Sequence, residues 1–216
     1  MAYTDSTALY LLTNLTTSDV SAADVTSIIA QATIQVNQDI NTVIKREFVR
    51  PINNTRENKI DGSNTIFYTQ NWKGVFLGDM DNDGDVDTSD VIVRQVTTTG
   101  TESTLTISAV DDDDCKITLS AAPASGVRLY IDYVYSYVRE GTTVDNMVKL
   151  ACTYLTAAYC YAKINIGMAP DQSFGSSRLT RHMQSYNHYM ERYHDIIQQI
   201  QGYGGVIKAE SSPLTF

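Results

Sequence analysis

The sequence predicts an α+β fold in which a helical bundle, built from N- and C-terminal helices, carries a β-rich domain inserted between them. Apolar residues recur at helical spacing over residues 22–47, form short alternating runs over 59–138, and return to helical spacing after Thr142. These changes of period define four segments. They are N-terminal helices at 1–50, a β-domain at 51–140, a C-terminal helical pair at 141–202 and an extended tail at 203–216.

Two helices are predicted before the β-domain. The first covers about residues 4–14, and the second follows Ser21-Ala22-Ala23-Asp24, which resembles a capping box with Asp in place of Glu. The second helix is expected to continue to about Glu47, before Pro51 and the Asn pair at 53–54. Its apolar stripe consists of Val25, Ile28, Ile29, Ala32, Val36, Ile40, Val43 and Ile44.

Six short runs rich in Thr, Val, Ile and Tyr predict strands in the middle of the chain. The last run is the clearest, because Leu129, Ile131, Tyr133 and Tyr135 alternate along one face after a turn at residues 121–126. Several short strands joined by turns predict a small barrel or sandwich. The six runs lie at residues 66–69, 74–77, 91–97, 103–108, 116–120 and 127–138.

Helical spacing returns near Thr142, a candidate N-cap with Asp145 three residues later, and Gly167 is a fitting end for that helix. A last helix is predicted over about 177–201, ended by the glycines at 202, 204 and 205. The tail from Val206 has no amphipathic period but carries apolar residues. We therefore expect it to be extended and to bind a neighbouring chain.

The charge of the chain is local. The net charge is −9, yet ten of the 25 acidic residues lie in the segment 79–90 and in the run 111–114, and the remainder is nearly neutral. No basic patch of the kind that binds nucleic acid is present. The sequence therefore predicts no sequence-specific binding of nucleic acid.

The three cysteines are predicted to be buried free thiols. Cys152 and Cys160 lie eight residues apart in one predicted helix, roughly 12 Å along its axis, which is too far for a disulfide. Free thiols suggest synthesis in a reducing compartment. Neither a signal peptide nor an apolar run of bilayer-crossing length is seen, so we expect a soluble protein made in a cytoplasm.

Residues 79–90 have the pattern of a twelve-residue calcium loop of the EF-hand or dockerin kind. Alternate aspartates occupy positions 1, 3 and 5, Gly84 occupies the sharp turn at position 6, and apolar Val86 occupies position 8. Ca²⁺ is a hard cation that takes six to eight oxygen ligands, and alternate carboxylates in a tight turn supply them. The predicted ligands are Asp79, Asp81, Asp83, Asp85 through its backbone carbonyl, and Asp90.

The loop departs from the EF-hand at position 12, where Asp90 replaces the longer Glu. Dockerin loops accept Asp there, but a dockerin carries two loops and this chain has one. The flanking residues favour strands rather than helices. The alternative is a solvated acidic turn that binds nothing, and for the run 111–114 that alternative is preferred, because consecutive side chains point in different directions.

No pattern for catalysis is found. His182, His188 and His194 are spaced by six residues, so they do not share a helical face. The sequence has no glycine-rich phosphate loop, nucleophile elbow or Cys-x-x-Cys motif. We therefore expect no enzymatic activity.

The layout resembles the head-to-tail connector, or adaptor, proteins of tailed viruses. The strand–turn–strand from Lys116 through the turn at 121–126 into Tyr130-Ile131-Asp132-Tyr133 is similar to one seen often in them. The step through Thr142 into an Ala- and Tyr-containing helix is similar as well. The calcium loop is not part of that pattern and looks like an insertion.

The resemblance implies a structural virion protein at the neck of the particle. It implies a homo-oligomeric ring, commonly a dodecamer, that docks on the portal protein, receives tail proteins and lets the genome pass through. It implies no catalytic residues and no membrane partner. Two alternatives stay open, a calcium-stabilised carbohydrate-binding or adhesion module and a dockerin-like docking module.

Overall fold

The computed structural model describes residues 2–50, 58–140, 144–167 and 176–210. The described chain is α+β, which confirms the predicted fold class. Its helices are α1 (Ser6–Thr13), α2 (Ala22–Ile40), α3 (Asn146–Gly167) and α4 (Ser176–Glu210). Its strands are β1 (Thr42–Phe48), β2 (Ile66–Tyr68), β3 (Phe76–Leu77), β4 (Ile92–Val96), β5 (Glu102–Leu105), β6 (Ile107–Asp111), β7 (Lys116–Leu119) and β8 (Arg128–Ser136).

The described residues form two compact units. Those between 41 and 140 make the β-unit, which contains all eight strands. Those of 2–40 and 144–210 make the helical unit, which contains all four helices. No described helix is both long enough and apolar enough to cross a bilayer.

Strand β8 is the centre of the larger sheet of the β-unit. It pairs on one side with β1 and on the other with β4 and then β3, and β5 extends the sheet beyond β4. Eight of its nine residues are at least partly covered, and seven are buried. Both faces are covered, because the alternating Leu129, Ile131, Tyr133 and Tyr135 are buried and so are Asp132 and Val134 between them.

A second, three-stranded sheet has the order β2-β7-β6. The single strand predicted at residues 103–108 is wrong, because the chain leaves the first sheet at Leu105 and joins the second at Ile107. Buried residues from both sheets share one core, including Phe67, Ile117 and Ile131. Apolar side chains on both sheets therefore remove each other from water.

The helical unit secures the ends of its short first helix with polar side chains. At the N-terminus of α1 the Asp5 carboxylate accepts the Ala8 N–H at 2.9 Å, as an N-cap does. At the C-terminus the carbonyls of Leu12 and Thr13 accept hydrogen bonds from the hydroxyls of Tyr189 (3.3 Å) and Tyr161 (3.1 Å). These hydroxyls satisfy carbonyls that have no partner within the helix.

The expected cap of α2 is present in a modified form. Ser21 Oγ accepts the Asp24 N–H at 3.2 Å, and the Ser21 hydroxyl donates to the Asp24 carboxylate at 2.7 Å. A Glu at that position would reach back to the backbone N–H of the cap. The shorter Asp bonds the hydroxyl instead.

The prediction that this helix continues to Glu47 is wrong. It ends at Ile40, and residues 42–48 form β1, which pairs with β8. Val43 fitted the apolar stripe of the helix but is exposed. The β-branched run Thr42-Val43-Ile44 favours a strand, and pairing with β8 outweighs the helical spacing. The β-unit therefore begins about ten residues before the predicted boundary at 51.

A bulge interrupts β1 between Ile44 and Glu47, where Arg46 has a positive φ of 56°. Its N–H donates to the buried carboxylate of Asp132 on β8 at 2.7 Å. The same carboxylate binds Arg94 on β4, and Arg94 and Arg46 both pair with Glu102 on β5. Two arginines and two acids thus link four of the five strands of the sheet and fix the bulge.

Two predictions at the C-terminal helices also need correction. Thr142 lies outside the described residues, and α3 begins at Asn146, where the Asp145 carboxylate accepts the Met147 N–H at 2.8 Å. Helix α4 continues through the glycines at 202, 204 and 205 to Glu210, so the extended tail is wrong for residues 203–210. Glycine weakens a helix by about 1 kcal/mol relative to alanine but keeps the backbone N–H that proline lacks. Residues 211–216 lie outside the described part.

Replacing Asp132 with Asn should destabilise the β-unit. Burial disfavours its charged form, but Arg94 and the Arg46 N–H outweigh burial and lower the pKa of Asp132 below 3.8. We expect a loss of about 1–3 kcal/mol in the opening free energy of β8 amides, measured by native-state hydrogen exchange at neutral pH.

The matched control is Glu102→Gln at the exposed end of the same charge network, which should cost no more than about 1 kcal/mol. The stability from Asp132 is complete above pH 3.8 and is lost as the pH falls through the lower folded pKa. The difference between wild type and Asp132→Asn should therefore shrink in acid. A loss from Glu102→Gln as large as that from Asp132→Asn would contradict this account.

Candidate metal centre

The aspartate loop lies between two strands that follow one another along the same side of β8. In β3, Leu77 faces Tyr135, and the Gly78 N–H donates to the Val134 carbonyl at 3.0 Å. In β4, Ile92 faces Asp132. One strand position, opposite Tyr133, remains between them, a gap of roughly 7 Å at the usual rise per residue.

The register makes residues 79–90 an insertion into one continuous strand. If these twelve residues were absent, Val91 would follow Gly78 and lie opposite Tyr133, with every other pairing unchanged. The side-chain alternation agrees, because Leu77, Val91 and Val93 are all buried. The loop is therefore an excursion from the sheet whose two ends meet at its base.

Three of the five predicted ligands come together. Asp79, Asp81 and Asp83 each offer a carboxylate oxygen, and these oxygens lie within 4.8 Å of one another. Two oxygens that bind one Ca²⁺ at about 2.4 Å can be at most about 4.8 Å apart. The spacing thus fits a single cation among the three carboxylates. Asp79 is buried, whereas Asp81 and Asp83 are exposed.

The turn at the middle of the loop requires the residues that occupy it. Asn82 has a φ of 63° and Gly84 a φ of 92°, in the left-handed region that Asn tolerates and Gly prefers. The N–H groups of Asn82 and Gly84 donate to the two oxygens of Asp79, at 2.6 and 2.8 Å. The loop backbone therefore wraps around the Asp79 carboxylate, as the sequence predicted for Gly84.

Asp90 does not join the three-carboxylate cluster. It is buried, and its carboxylate accepts the N–H groups of Met80 (2.6 Å), Asp81 (3.2 Å) and Asp87 (2.8 Å). Position 12 thus fastens the end of the loop to its beginning. Burial raises the pKa of Asp90 to about 6, although the three N–H groups oppose the shift.

The remaining acidic side chains of the loop lie on its outer surface. The Asp85 carboxylate accepts the N–H of Val86 at 3.0 Å, so its side chain serves the turn and only its carbonyl stays a candidate ligand. The Asp87 carboxylate accepts the N–H of Ser89 at 2.7 Å, and hydrogen bonds from Ser89 lower the pKa of Asp87. Ser89 Oγ also lies 2.9 Å from the Asp81 carboxylate.

Val86, at the apolar position 8, packs against the core of the β-unit. This contact anchors the second half of the loop to the core.

The acidic groups of the carboxylate cluster repel one another. Burial, and after it the charges of Asp81 and Asp83, raise the pKa of Asp79. A cation at the cluster would relieve that repulsion.

The second acidic run behaves as a turn. Residues 111–114 lead from the end of β6 to β7, and two of their four charges pair with cations. Lys116 binds Asp111 at 2.7 Å, and Arg139 pairs with Asp113. Within the described part of the chain, the group with metal-ligand spacing is Asp79, Asp81 and Asp83.

Sequence reasoning missed Glu140 and Asn41, which lie against the start of the loop. Glu140 is buried, and its Oε2 accepts the Asp79 N–H and the Asn41 side-chain amide, both at 3.1 Å. A Cβ on Gly78 would lie 2.5 Å from Asn41 Oδ1, so the Asn41 side chain would have to move to admit any other residue there. Burial raises the pKa of Glu140 to about 7. An isolated Glu 50 residues from the loop gives no sequence signal for this contact.

No protein-family model, curated protein or solved structure matches the chain.

Deleting residues 79–90 should leave a folded β-unit with a continuous β3–β4 strand. Val91 would take the place opposite Tyr133, and the loss would be limited to the contacts of Val86 and Asp79. We expect a cooperative unfolding transition with a free energy of unfolding about 1–3 kcal/mol lower, because the burial of Val86 is lost. Urea denaturation, with hydrogen exchange at β8, measures this.

The control deletes residues 79–89 and keeps Asp90. That single extra residue forces either a bulge, which disrupts the pairing with β8, or a slip that turns Val91 and Val93 away from the core. The eleven-residue deletion should therefore be much less stable than the twelve-residue deletion. Equal stability of the two variants, or an unfolded twelve-residue deletion, would show that the loop is not a register-matched insertion.

Proposed function

We propose that the protein is a non-enzymatic structural component of a tailed-virus particle, a head–tail connector, and that its aspartate loop binds Ca²⁺. The observation that carries the calcium assignment is the spacing of the Asp79, Asp81 and Asp83 oxygens, within 4.8 Å of one another in a loop with the calcium-loop pattern. The Asp85 carbonyl and the Asp90 carboxylate complete the proposed ligand set. Oxygen ligands alone suit a hard cation.

The ion is proposed to stabilise the loop locally rather than to create the fold. Two observations support this. The strands on either side of the loop pair with β8 and bury their own apolar residues. The loop backbone also closes through hydrogen bonds to Asp79 and Asp90. A chelator should therefore loosen the loop and leave the β-unit folded.

Calcium binding is tested by isothermal titration calorimetry of wild type and the double variant Asp81→Ala/Asp83→Ala. Removing two of three clustered carboxylates should abolish the saturable heat. The matched control is Asp112→Ala/Asp114→Ala, which removes the same charge from the other acidic run and should bind like wild type. Equal heats in wild type and in Asp81→Ala/Asp83→Ala would refute the site. A Mg²⁺ titration distinguishes a calcium site from general cation attraction.

The connector proposal is supported by the order of elements along the chain. Helices α1 and α2 precede a separate β-unit, and helices α3 and α4 follow it. This order accords with a bundle built from N- and C-terminal helices with an inserted β-domain, the architecture implied by the resemblance to connector proteins. The strand–turn–strand that carries the resemblance corresponds to β7 and β8, which lie in different sheets.

In this role the chain would fill one position of a homo-oligomeric ring between the portal protein and the tail proteins, at the neck of the virion. The ring would let the genome pass without reading its sequence, in line with the lack of a basic patch. No membrane partner is proposed. The protein would be made in the host cytoplasm.

Light scattering after size exclusion tests the assembly. We expect a species with the mass of a ring, commonly a dodecamer in proteins of this kind, in Ca²⁺ and in chelator alike if the ion acts only on the loop. A monomer at every concentration, with and without Ca²⁺, would contradict the connector. That outcome would favour the calcium-stabilised binding, adhesion or docking module.

A further inference from the structure

The Asp79 backbone is held from below the loop by a residue distant in sequence. The Asp79 N–H donates to Glu140 Oε2 at 3.1 Å, and the Asn41 side-chain amide donates to the same oxygen at 3.1 Å. Glu140 is 2% exposed and Asp79 is 2% exposed, so this hydrogen bond is shielded from water. When Glu140 is ionised, its charge makes this bond stronger than a bond between neutral groups.

The other Glu140 oxygen has no comparable partner. Glu140 Oε1 is buried and has no partner in hydrogen-bond geometry within the described part of the chain. The nearby Ser136 hydroxyl donates to the Val138 carbonyl and also lowers the pKa of Glu140. A buried carboxylate with an unsatisfied oxygen is costly. Such a group is therefore difficult to explain as a packing residue, and the loop is the structure that it contacts.

The backbone at Gly78, where the loop begins, also lies close to the Asn41 side chain. Gly78, directly before Asp79, leaves no room for a Cβ, which would meet Asn41 Oδ1 at 2.5 Å and Val134 at 3.1 Å. Asn41, Gly78, Asp79 and Glu140 thus form one packed contact at the base of the loop. We call this contact the base clasp.

We propose that Glu140 is a positioning residue of the metal centre, which fixes Asp79 through the base clasp so that its carboxylate faces Asp81 and Asp83. This inference depends on the proposed calcium site. Its physical reason is that metal ligands are oriented by the groups that hydrogen-bond them, and the loss of such a partner lowers metal affinity about 10- to 100-fold.

The test measures Ca²⁺ affinity by calorimetry in Glu140→Ala and Glu140→Gln. Glu140→Ala removes both the acceptor and the charge, and it should weaken binding about 10- to 100-fold. Glu140→Gln keeps the size and one acceptor oxygen, so it should recover part of that loss. Hydrogen exchange of the Asp79 amide in chelator should accelerate in both variants, and more in Glu140→Ala.

The matched control is Glu47→Gln. Glu47 is a half-buried Glu of the same unit that also accepts a backbone N–H, that of Gln70 at 2.8 Å, but it lies on β1 and not at the loop. The Glu47→Gln variant should lower the stability of the β-unit without changing its Ca²⁺ affinity. A second variant, Asn41→Ala, removes the other donor to Glu140 and should weaken binding less than Glu140→Ala.

The outcomes separate the two proposals. If wild type binds no Ca²⁺, the calcium site and the role of Glu140 both fail. If wild type binds Ca²⁺ and both Glu140→Ala and Glu140→Gln bind it as tightly as wild type, the calcium site stands and the positioning role is overturned. If Glu140→Ala does not fold, Glu140→Gln decides, and an affinity loss no greater than that of Glu47→Gln overturns the proposal.

Discussion

The structure of the β-unit depends on one strand, β8, which is buried over most of its length and bonded along both edges. Each segment that pairs with it has its register set from that strand. The bulge in β1 is fastened to it through Asp132, and the two ends of the aspartate loop are placed by Val134 and Asp132. On the side of β3 and β4, a shift of one residue would turn the buried Leu77, Val91 and Val93 toward water, so β8 fixes where the metal centre can lie.

This constraint explains how a loop with so many charges coexists with a packed sheet. The excursion begins and ends at neighbouring positions of one strand, so it adds charge at the edge of the core without moving a core residue. Within the loop, backbone N–H groups face the two buried carboxylates, Asp79 and Asp90. Those donors offset part of the repulsion that six carboxylates in twelve residues would otherwise impose. The apolar residues that stabilise the sheet and the charged residues of the loop therefore lie in different places.

Much of the β-unit and the position of the loop could be predicted from the sequence, because alternation, turn residues and the spacing of Asp79, Asp81, Asp83 and Gly84 are local signals. The predictions were wrong where a contact between residues distant in sequence determines the structure. Residues 42–48 continue a helical stripe in the sequence, but pairing with β8 makes them a strand. The glycines of α4 favour a helix end without enforcing one. Glu140 carries no signal, since its role arises only when the fold brings it to Asp79.

The two buried aspartates of the loop hold different places relative to the carboxylate cluster. Asp79 accepts the N–H groups of Asn82 and Gly84, one on each oxygen, and belongs to the cluster with Asp81 and Asp83. Asp90 accepts three N–H groups, two of them on one oxygen, and is not part of that cluster. For Asp90 to bind the ion as position 12 of the loop, it would have to give up a backbone donor or share its less occupied oxygen, Oδ2. Its first contribution is therefore to close the loop, so that the carboxylates at 79, 81 and 83 are ordered before the ion arrives and binding costs less conformational entropy.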